Sequence, residues 1–344
     1  MESCIRCKYP IMSALRAVFY FLVLLFLASC SLSENGKFRL GVSIPTQREE
    51  RWVRDVQKLR SECRRKNIDM RLQISDNDAA RQLAQCENLI AQKISILILA
   101  PHDAFAASVI VEKAHRAGIR VITYDRLVMK ADVDLYISFD NLKIGELQGQ
   151  FITHRVPKGA YVVLAGAPTD NNATLYRQGA MKFIQPFIDK GDIRVVMDQA
   201  VKDWQPMEAM KLIENALTAN GNRIDAVLAP NDGTAGGVIQ ALAGRGLAGK
   251  VPVTGQDSEL AAAHRIVEGI QTMTIFKDTR ELAVEAVEAA EKMASGRDPG
   301  VNNAVYNGKI NVPSILLTAV VVDRDNLDRV LIGSGYLKRE DVYR

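Results

Sequence analysis

The stretch SILILA (95–100) decides the fold class. It is apolar almost throughout, and it is followed by a run with helical spacing at 104–117 that ends at Gly118. A strand that is apolar on both faces is typical of a parallel sheet covered by helices on both sides. This stretch therefore predicts an α/β protein.

The alternation of strands and helices continues in both directions from this stretch. Before it, the pattern predicts strands at 37–44 and 70–74 and helices at 49–66 and 79–92; after it, a strand at 120–124. From residue 141 the alternation starts again, with helices at 141–154, 172–188, 206–218, 233–243, 259–268 and 279–295, and strands at 160–165, 193–200, 226–229, 251–254 and 272–276. We expect two doubly wound, Rossmann-like halves of similar size. No Gly/Ser linker separates them, so tight crossings should join them.

Length and composition agree with two folded domains. The chain has 344 residues and is 48% hydrophobic, and domains average roughly 150 residues. Lys and Arg number 44 against 40 Asp and Glu, a net charge of only +4. Nucleic-acid binding proteins need a concentrated basic surface to neutralise phosphates, so a nucleic-acid partner is not expected.

The first 30 residues have the pattern of a targeting segment. A basic start with Arg6, Lys8 and Arg16 precedes an apolar run at 17–27, and LASC (27–30) closes it. The run is too short to span a bilayer as a mature helix. It resembles a bacterial lipoprotein signal, in which Cys30 becomes the lipid-bearing first residue. An ordinary secretory signal is the alternative, and Met12 would also serve as the start. We expect an exported protein, lipid-anchored to the cell envelope, with a short polar tether at 31–36.

The remaining cysteines and the histidines give no sign of a metal site. Cys63 and Cys86 lie on predicted helices, and spacing alone does not decide between a disulfide and two thiols that pack as small hydrophobes. The four histidines are scattered, and there is no Cys/His cluster or phosphate-binding glycine loop. No arrangement of nucleophile, base and orienting group occurs, so no catalytic residue, metal or cofactor is predicted.

Polar residues gather where the predicted strands end. In open α/β sheets, ligands bind outside the carboxyl ends of the strands. Carboxylates, amides and guanidinium groups there would both donate to and accept from vicinal hydroxyl pairs. The adjacent pair Glu49 and Glu50 is better explained by its place at a helix start than by acid–base chemistry. The junction residues are Arg48, Glu49, Glu50, Arg51, Trp52, Pro101, His102, Asp103, Asp125, Arg126, Thr169, Asp170, Asn171, Asn172, Asp203, Trp204, Asn231, Asp232, Gly233, Gln256, Asp257, Phe276, Lys277 and Asp278.

The only two tryptophans of the chain, Trp52 and Trp204, both lie at such junctions, one in each half. A pyranose has apolar C–H faces and polar edges, so two flat rings with polar groups at the rim form a matching cavity. Alternatively, each ring is a core anchor. Their joint placement beside charged residues favours a sugar site.

Eight motifs carry a resemblance to a known family. They are ERW (50–52), YDR (124–126), DLYISFDNLKIGELQ (134–148), DNNA (170–173), ENALTAN (214–220), NDGTAGG (231–237), GQD (255–257) and QTMTIFK (271–277). These motifs resemble bacterial D-xylose-binding proteins, the solute-binding subunits of xylose ABC importers. The resemblance implies a type I periplasmic-binding-protein fold, with two α/β domains joined by a three-crossing hinge. It implies an N-terminal domain at 37–140 plus about 278–316 and a C-terminal domain at 141–277 plus about 317–344.

The resemblance also implies the ligand-binding residues. Those expected to contact the sugar are Arg51, Trp52, Asp125, Arg126, Asn172, Trp204, Asn231, Asp257 and Lys277. In this interpretation Asp125, Arg126, Asn231 and Asp257 hold hydroxyls, the two indoles sandwich the ring, and Lys277 supplies a further cation.

Three functions are compatible with such a pocket. The first is a monomeric lipoprotein that binds xylose and delivers it to a membrane ABC permease. The second is a xylose-sensing lipoprotein that signals through a membrane histidine kinase or receptor. The third is a sugar-processing enzyme. A repressor would need a DNA-binding headpiece before residue 37, where the signal segment lies.

Overall fold

The computed structural model describes residues 38–344, of which Arg39–Arg344 form one compact unit. The predicted signal segment at 1–30, including Cys30, and the predicted tether at 31–36 lie outside the described residues. Within the described part, no helix is both long enough and apolar enough to cross a membrane.

The strands and helices alternate over most of the described chain. The strands are β1 (Arg39–Ile44), β2 (Asp69–Ile74), β3 (Ile96–Leu99), β4 (Arg120–Tyr124), β5 (Leu135–Phe139), β6 (Gly159–Ala165), β7 (Ile193–Ala200), β8 (Ala226–Leu228), β9 (Thr274–Phe276), β10 (Asn303–Tyr306), β11 (Asn311–Leu317) and β12 (Val320–Val322). The α-helices are α1 (Glu50–Arg65), α2 (Ala79–Ala91), α3 (Ser108–Arg116), α4 (Asn141–Arg155), α5 (Asn171–Asp189), α6 (Pro206–Ala219), α7 (Asp232–Ala243), α8 (Leu260–Val267), α9 (Thr279–Ala294) and α10 (Arg339–Val342).

The larger sheet has seven strands in the order β10-β11-β5-β4-β3-β1-β2. All neighbouring pairs are parallel except β10 and β11. The four residues of β3 are buried at the centre of this sheet, as the apolar stretch at 95–100 predicts. The doubly wound α/β class is therefore confirmed.

The smaller sheet has the order β7-β6-β8 and is parallel. The segment at 251–254, predicted as a strand, forms only one bridge, between Val227 and Val253. The backbone N–H of Thr272 donates to the carbonyl of Val253 at 3.1 Å, which connects this segment to β9 and its antiparallel partner β12. Two halves of similar size were expected, but the larger sheet contains three strands that lie outside the predicted alternation.

Those three strands are β5, β10 and β11, and the local pattern did not predict them. β5 is short and follows β4 through a loop rather than a helix, and β10 and β11 form a hairpin beyond the last predicted helix. The helix predicted at 104–117 begins only at Ser108, because Asp103 Oδ1 accepts from the backbone N–H groups of Phe105 and Ala106 and holds a turn there.

The chain passes three times between the seven-stranded sheet and the half that holds the three-stranded sheet and the two-stranded β12-β9 sheet. It crosses after β5 through α4, returns after β9 through α9, and crosses again between β11 and β12. This confirms the three-crossing arrangement.

Apolar side chains cover both faces of each sheet, and the two cysteines belong to this interior. Cys63 on α1 and Cys86 on α2 are free thiols, 1% and 0% exposed. Burial raises the pKa of each thiol to about 11. The sequence left a disulfide and two packed thiols as alternatives. In the structure, the two cysteines are unpaired thiols that pack as small hydrophobic side chains.

Candidate functional site

A cavity lies between the two sheets, at the carboxyl ends of their strands, with about 320 Å³ of empty space that is partly open to solvent. The structure brings all nine predicted ligand-binding residues to its wall. The lining residues are Glu49, Arg51, Trp52, Asp125, Arg126, Asp170, Asn172, Tyr176, Trp204, Asn231, Gln256, Asp257 and Lys277.

Arg51, in the first turn of α1, is held between two acids. Its Nη1 lies 2.7 Å from Oδ2 of Asp125, and its Nη2 lies 2.8 Å from Oδ2 of Asp55. Burial alone would lower the pKa of Arg51, but these two carboxylates raise it well above the ordinary value. Burial raises the pKa of Asp55 to about 6 against the opposing effect of Arg51. The guanidinium is therefore fixed as a cation on the cavity wall.

Asp125 has a backbone conformation that costs energy for a residue with a side chain. Its φ is 61°, in the left-handed region that such residues rarely adopt. Its carbonyl oxygen accepts from Tyr136 Oη at 2.9 Å, Ser138 Oγ at 2.7 Å and Asn172 Nδ2 at 3.0 Å. These three bonds hold the carboxylate toward the cavity. Burial would raise the pKa of Asp125, but Arg51 and Lys277 lower it below the ordinary value.

Arg126 connects the two sides of the cavity. Its Nε lies 2.8 Å from Oδ2 of Asp170, the residue that precedes α5. Its guanidinium also lies 5.4 Å from the ring centroid of Trp52, and that of Arg51 lies 4.2 Å from the same ring. Cation–π contacts at these distances fix the orientation of the indole. Trp52 is 1% exposed.

Trp204 lies on the opposite side, in the loop before α6. Its φ is 57°, and the six-membered part of its indole lies so close to Gly166 that a Cβ there would be 2.1 Å from Cη2. The edge of Tyr176 contacts it, with ring centroids 6.4 Å apart. Only a glycine at 166 leaves room for the ring in this position. Trp204 Nε1 is buried and has no hydrogen-bond partner within residues 38–344.

Asn231 begins α7 and is already engaged in capping that helix. Its Oδ1 accepts from the backbone N–H and from Oγ1 of Thr234, at 3.0 and 2.7 Å. The first of these is the N-terminal cap contact. Thr234 Oγ1 in turn accepts from the backbone N–H of Asn231 at 3.2 Å, which completes a capping box. The carbonyl side of this amide is thus occupied, and its Nδ2 is the group left to face a ligand.

Asp257 and Lys277 form the third ion pair of the wall, 2.8 Å between Oδ1 and Nζ. Asp257 has a φ of 95° and follows Gln256. The lysine Nζ lies 5.7 Å from the ring centroid of Tyr176 and 6.0 Å from that of Phe139. Lys277 is 2% exposed, so its ammonium is fixed by the acid and by two aromatic faces.

Asn172 is the predicted residue with the least free hydrogen-bonding capacity. Its Nδ2 donates to the Asp125 carbonyl, and its Oδ1 accepts from Asn141 Nδ2 at 3.0 Å. Asn141 begins α4, the first crossing between the sheets. Asn172 therefore lines the cavity and also connects its two sides through these hydrogen bonds.

Four wall residues were not among the predicted ligand contacts. Asp170 and Gln256 were recognised as strand-end residues only. Glu49 was assigned to the helix start, yet it forms no side-chain cap and lines the cavity instead. Tyr176 lies one helical turn after Asn172, and that spacing places both on one face of α5.

The charges of the wall are matched in pairs. Each of its cations, Arg51, Arg126 and Lys277, has an acid of the wall within 2.8 Å. The fourth acid of the wall, Glu49, pairs with Arg48 at 2.7 Å. Such a wall offers no excess charge to a charged ligand. Its carboxylates, amides and indole N–H are, however, rich in hydrogen-bond donors and acceptors.

Sequence comparisons agree with this geometry. A model of the periplasmic binding protein domain matches residues 40–298. The chain belongs to this family. It is 42% identical to the D-xylose-binding periplasmic protein of Haemophilus influenzae, over 91% of this chain and 94% of the relative. It is also 42% identical to the D-xylose-binding periplasmic protein of Escherichia coli, over 88% and 92%. The predicted resemblance is thereby confirmed.

A solved structure of a carbohydrate transporter solute-binding protein from Chloroflexus aurantiacus, in complex with D-glucose, superimposes with a TM-score of 0.83 at 33% identity. The match covers 88% of this chain and 97% of that one. The type I periplasmic-binding-protein fold is thus confirmed at the level of the whole described unit.

Proposed function

We propose that this chain binds a pentose monosaccharide, D-xylose, in the cavity between its sheets and delivers it to a membrane ABC transporter. The observation that carries the proposal is the neutral, polar wall. Its cations and acids compensate each other, while five buried polar atoms lack a hydrogen-bond partner among the described residues. They are Glu49 Oε2, Asp125 Oδ2, Trp204 Nε1, Gln256 Oε1 and Asp257 Oδ1.

Four of these five atoms are oxygens that accept hydrogen bonds. Asp125 Oδ2 and Asp257 Oδ1 lie 2.7 and 2.8 Å from their cations, and each carboxylate oxygen has a second lone pair that can accept from a ligand hydroxyl. An unsatisfied buried polar group costs about 1–3 kcal/mol. A ligand rich in hydroxyl groups and without net charge satisfies such a set best, and a sugar is that ligand.

The aromatic rings of the cavity favour a single sugar ring. Trp52 and Trp204 supply flat apolar surfaces from opposite sides, suited to the C–H faces of a pyranose. The names of the two 42% identical relatives support xylose among the monosaccharides.

Contacts across the cavity support closure around the ligand. Arg126 with Asp170, and Asn172 with the Asp125 carbonyl, join residues that follow strands of different sheets. We propose that 37–140 plus about 278–316 and 141–277 plus about 317–344 move as two domains about the three crossings. Solution scattering should give a smaller radius of gyration with xylose than without it. An unchanged radius at saturation would refute the hinge motion.

Intrinsic fluorescence tests the binding proposal, because both tryptophans of the chain line the cavity. Xylose should shift or quench the emission saturably, whereas an uncharged non-sugar solute at the same concentration should not. An emission spectrum that does not change with xylose up to millimolar concentration would contradict the proposal.

Transport and anchoring are separate parts of the proposal. A permease-binding assay distinguishes delivery from sensing through a membrane kinase, and no observation on this chain favours sensing.

For anchoring at the envelope, Cys30→Ser should release the protein from membranes without changing its affinity for sugar. A variant that still fractionates with membranes would refute the lipoprotein assignment.

A further inference from the structure

We infer that Glu49 is an additional ligand-binding residue of the cavity, whose Oε2 accepts a hydrogen bond from one hydroxyl of the bound sugar. This inference rests on the proposed function and extends it to a specificity-determining contact. Glu49 precedes α1, and its side chain lines the cavity beside Arg51 and Trp52.

The two oxygens of Glu49 are in different situations. Oε1 accepts from Nε of Arg48 at 3.2 Å and from its Nη2 at 2.7 Å. Oε2 is buried and finds no hydrogen-bond partner in the part of the chain that the structure describes. The side chain is 9% exposed. Arg48 thus holds the carboxylate through Oε1, and Oε2 is left without a donor in a side chain that lines the cavity.

A structural role does not account for this arrangement. Glu49 has the position of a helix cap, but its side chain accepts no hydrogen bond from the backbone of α1. The next residue, Glu50, supplies the acidic group of the first turn and bonds to Arg54. A buried carboxylate oxygen without a donor is costly, and a hydroxyl group in the cavity removes that cost.

Arg48 connects this contact to the opposite side of the cavity. Its Nη2 also donates to the backbone carbonyl of Asp203, the neighbour of Trp204. Arg48 therefore spans from the loop after β1 to the loop after β7. The Arg48 guanidinium therefore bonds both to the Glu49 carboxylate and to the loop that carries the Trp204 indole. When these two loops are in contact, Arg48 fixes the orientation of Glu49 at the cavity.

The first experiment compares xylose binding by the wild type, Glu49→Gln and Glu49→Ala. Loss of a charged acceptor should weaken binding about 10- to 100-fold in Glu49→Ala, with Glu49→Gln between this value and the wild type. Glu62→Gln is the matched control, because Glu62 is an acid on α1 that also pairs with basic residues, Lys58 and Arg65. It should bind as the wild type does. Melting temperatures establish that each variant is folded.

The second experiment identifies the hydroxyl with xylose analogues that each lack one hydroxyl. One analogue should bind the wild type at least about tenfold more weakly than xylose, and Glu49→Ala should discriminate against that analogue far less. For each of the other analogues, the loss of affinity relative to xylose should be the same in Glu49→Ala as in the wild type. This cycle separates a direct contact from a general distortion of the cavity.

The outcomes are distinguishable. If the wild type binds no xylose, the proposed function fails, and the inference fails with it. Two results would overturn the inference alone. In the first, the wild type binds xylose and both Glu49 variants have affinities within twofold of the wild type. In the second, every analogue loses as much affinity relative to xylose in Glu49→Ala as in the wild type.

Discussion

Nζ of Lys277 lies 2.8 Å from Oδ1 of Asp257, and the two side chains are 2% and 5% exposed. Removing the acid leaves a buried ammonium without its counter-charge and removes a charged acceptor from the wall. We expect Asp257→Ala to weaken xylose binding by roughly 2 to 4 kcal/mol. Isothermal titration measures this change, and a loss below about 0.5 kcal/mol would exclude Asp257 from the ligand contacts.

Asp132→Ala provides the control for that substitution. Asp132 pairs with Lys309 at 2.6 Å, but both side chains are about half exposed. Exposed ion pairs contribute about 0–1 kcal/mol to stability, and this one is not part of the cavity wall. Its removal should leave the affinity for sugar unchanged.

Trp204→Ala should weaken binding by about 1–3 kcal/mol, because it removes one stacking face. Far-ultraviolet circular dichroism should not change if the ring serves the site rather than the core. A variant that melts much earlier yet binds xylose normally would assign Trp204 to the core instead.

Gly166→Ala tests the same ring without deleting it. The added Cβ would lie 2.1 Å from the indole, so the ring must move and xylose binding should weaken at least several-fold. Gly244→Ala is the matched control, because a Cβ there has its nearest neighbour at 3.5 Å. Equal affinities of these two variants would show that the position of Trp204 does not matter for binding.

The stability of the unliganded protein should depend on Asp232. Burial raises its pKa to about 7, and the carboxylate of Asp257 adds to this rise. The native state keeps a proton that the unfolded chain releases near pH 4, so the free energy of unfolding falls as the pH rises from about 4 to about 7.

Asp232→Asn does not titrate and should therefore gain stability relative to the wild type over this pH range, on the order of 1 kcal/mol or more. Urea denaturation at pH 5 and pH 8 measures the difference between the two unfolding free energies. A difference that stays constant between these pH values would contradict a raised pKa of Asp232 in the native state.

The sequence predicted the parts of this molecule that depend on local patterns. The apolar run at 95–100 is a central strand, and strand ends place Asp125, Asn231 and Asp257 at one cavity. It did not predict β10 and β11, because β11 pairs with β5, which lies 178 positions earlier in the chain (Ser314 with Tyr136), and β10 pairs with β11.

Within the site, the sequence could name residues but not their partners. Asn172 was expected to contact sugar, yet its amide is bonded to Asn141 and to the carbonyl of Asp125. Glu49 was assigned to the helix start, since nothing local distinguishes a capping acid from one whose side chain faces a cavity. Such distinctions depend on tertiary contacts.

Selectivity for pentose over hexose should follow from the crowding of the wall. An added hydroxymethyl group would have to displace an indole or a paired charged residue, and overpacking a rigid site costs about 1–3 kcal/mol. Glucose should therefore bind at least about tenfold more weakly than xylose. Competition between the two sugars measures this ratio, and equal affinities would indicate a general aldose-binding protein.

The decisive measurement is a calorimetric titration of the chain from Ser31 onward against a panel of pentoses and hexoses. We expect saturable one-to-one binding of D-xylose, tighter than that of any other sugar of the panel, and loss of that heat in Asp257→Ala. Absence of heat with every sugar, or tightest binding of a hexose, would contradict this expectation.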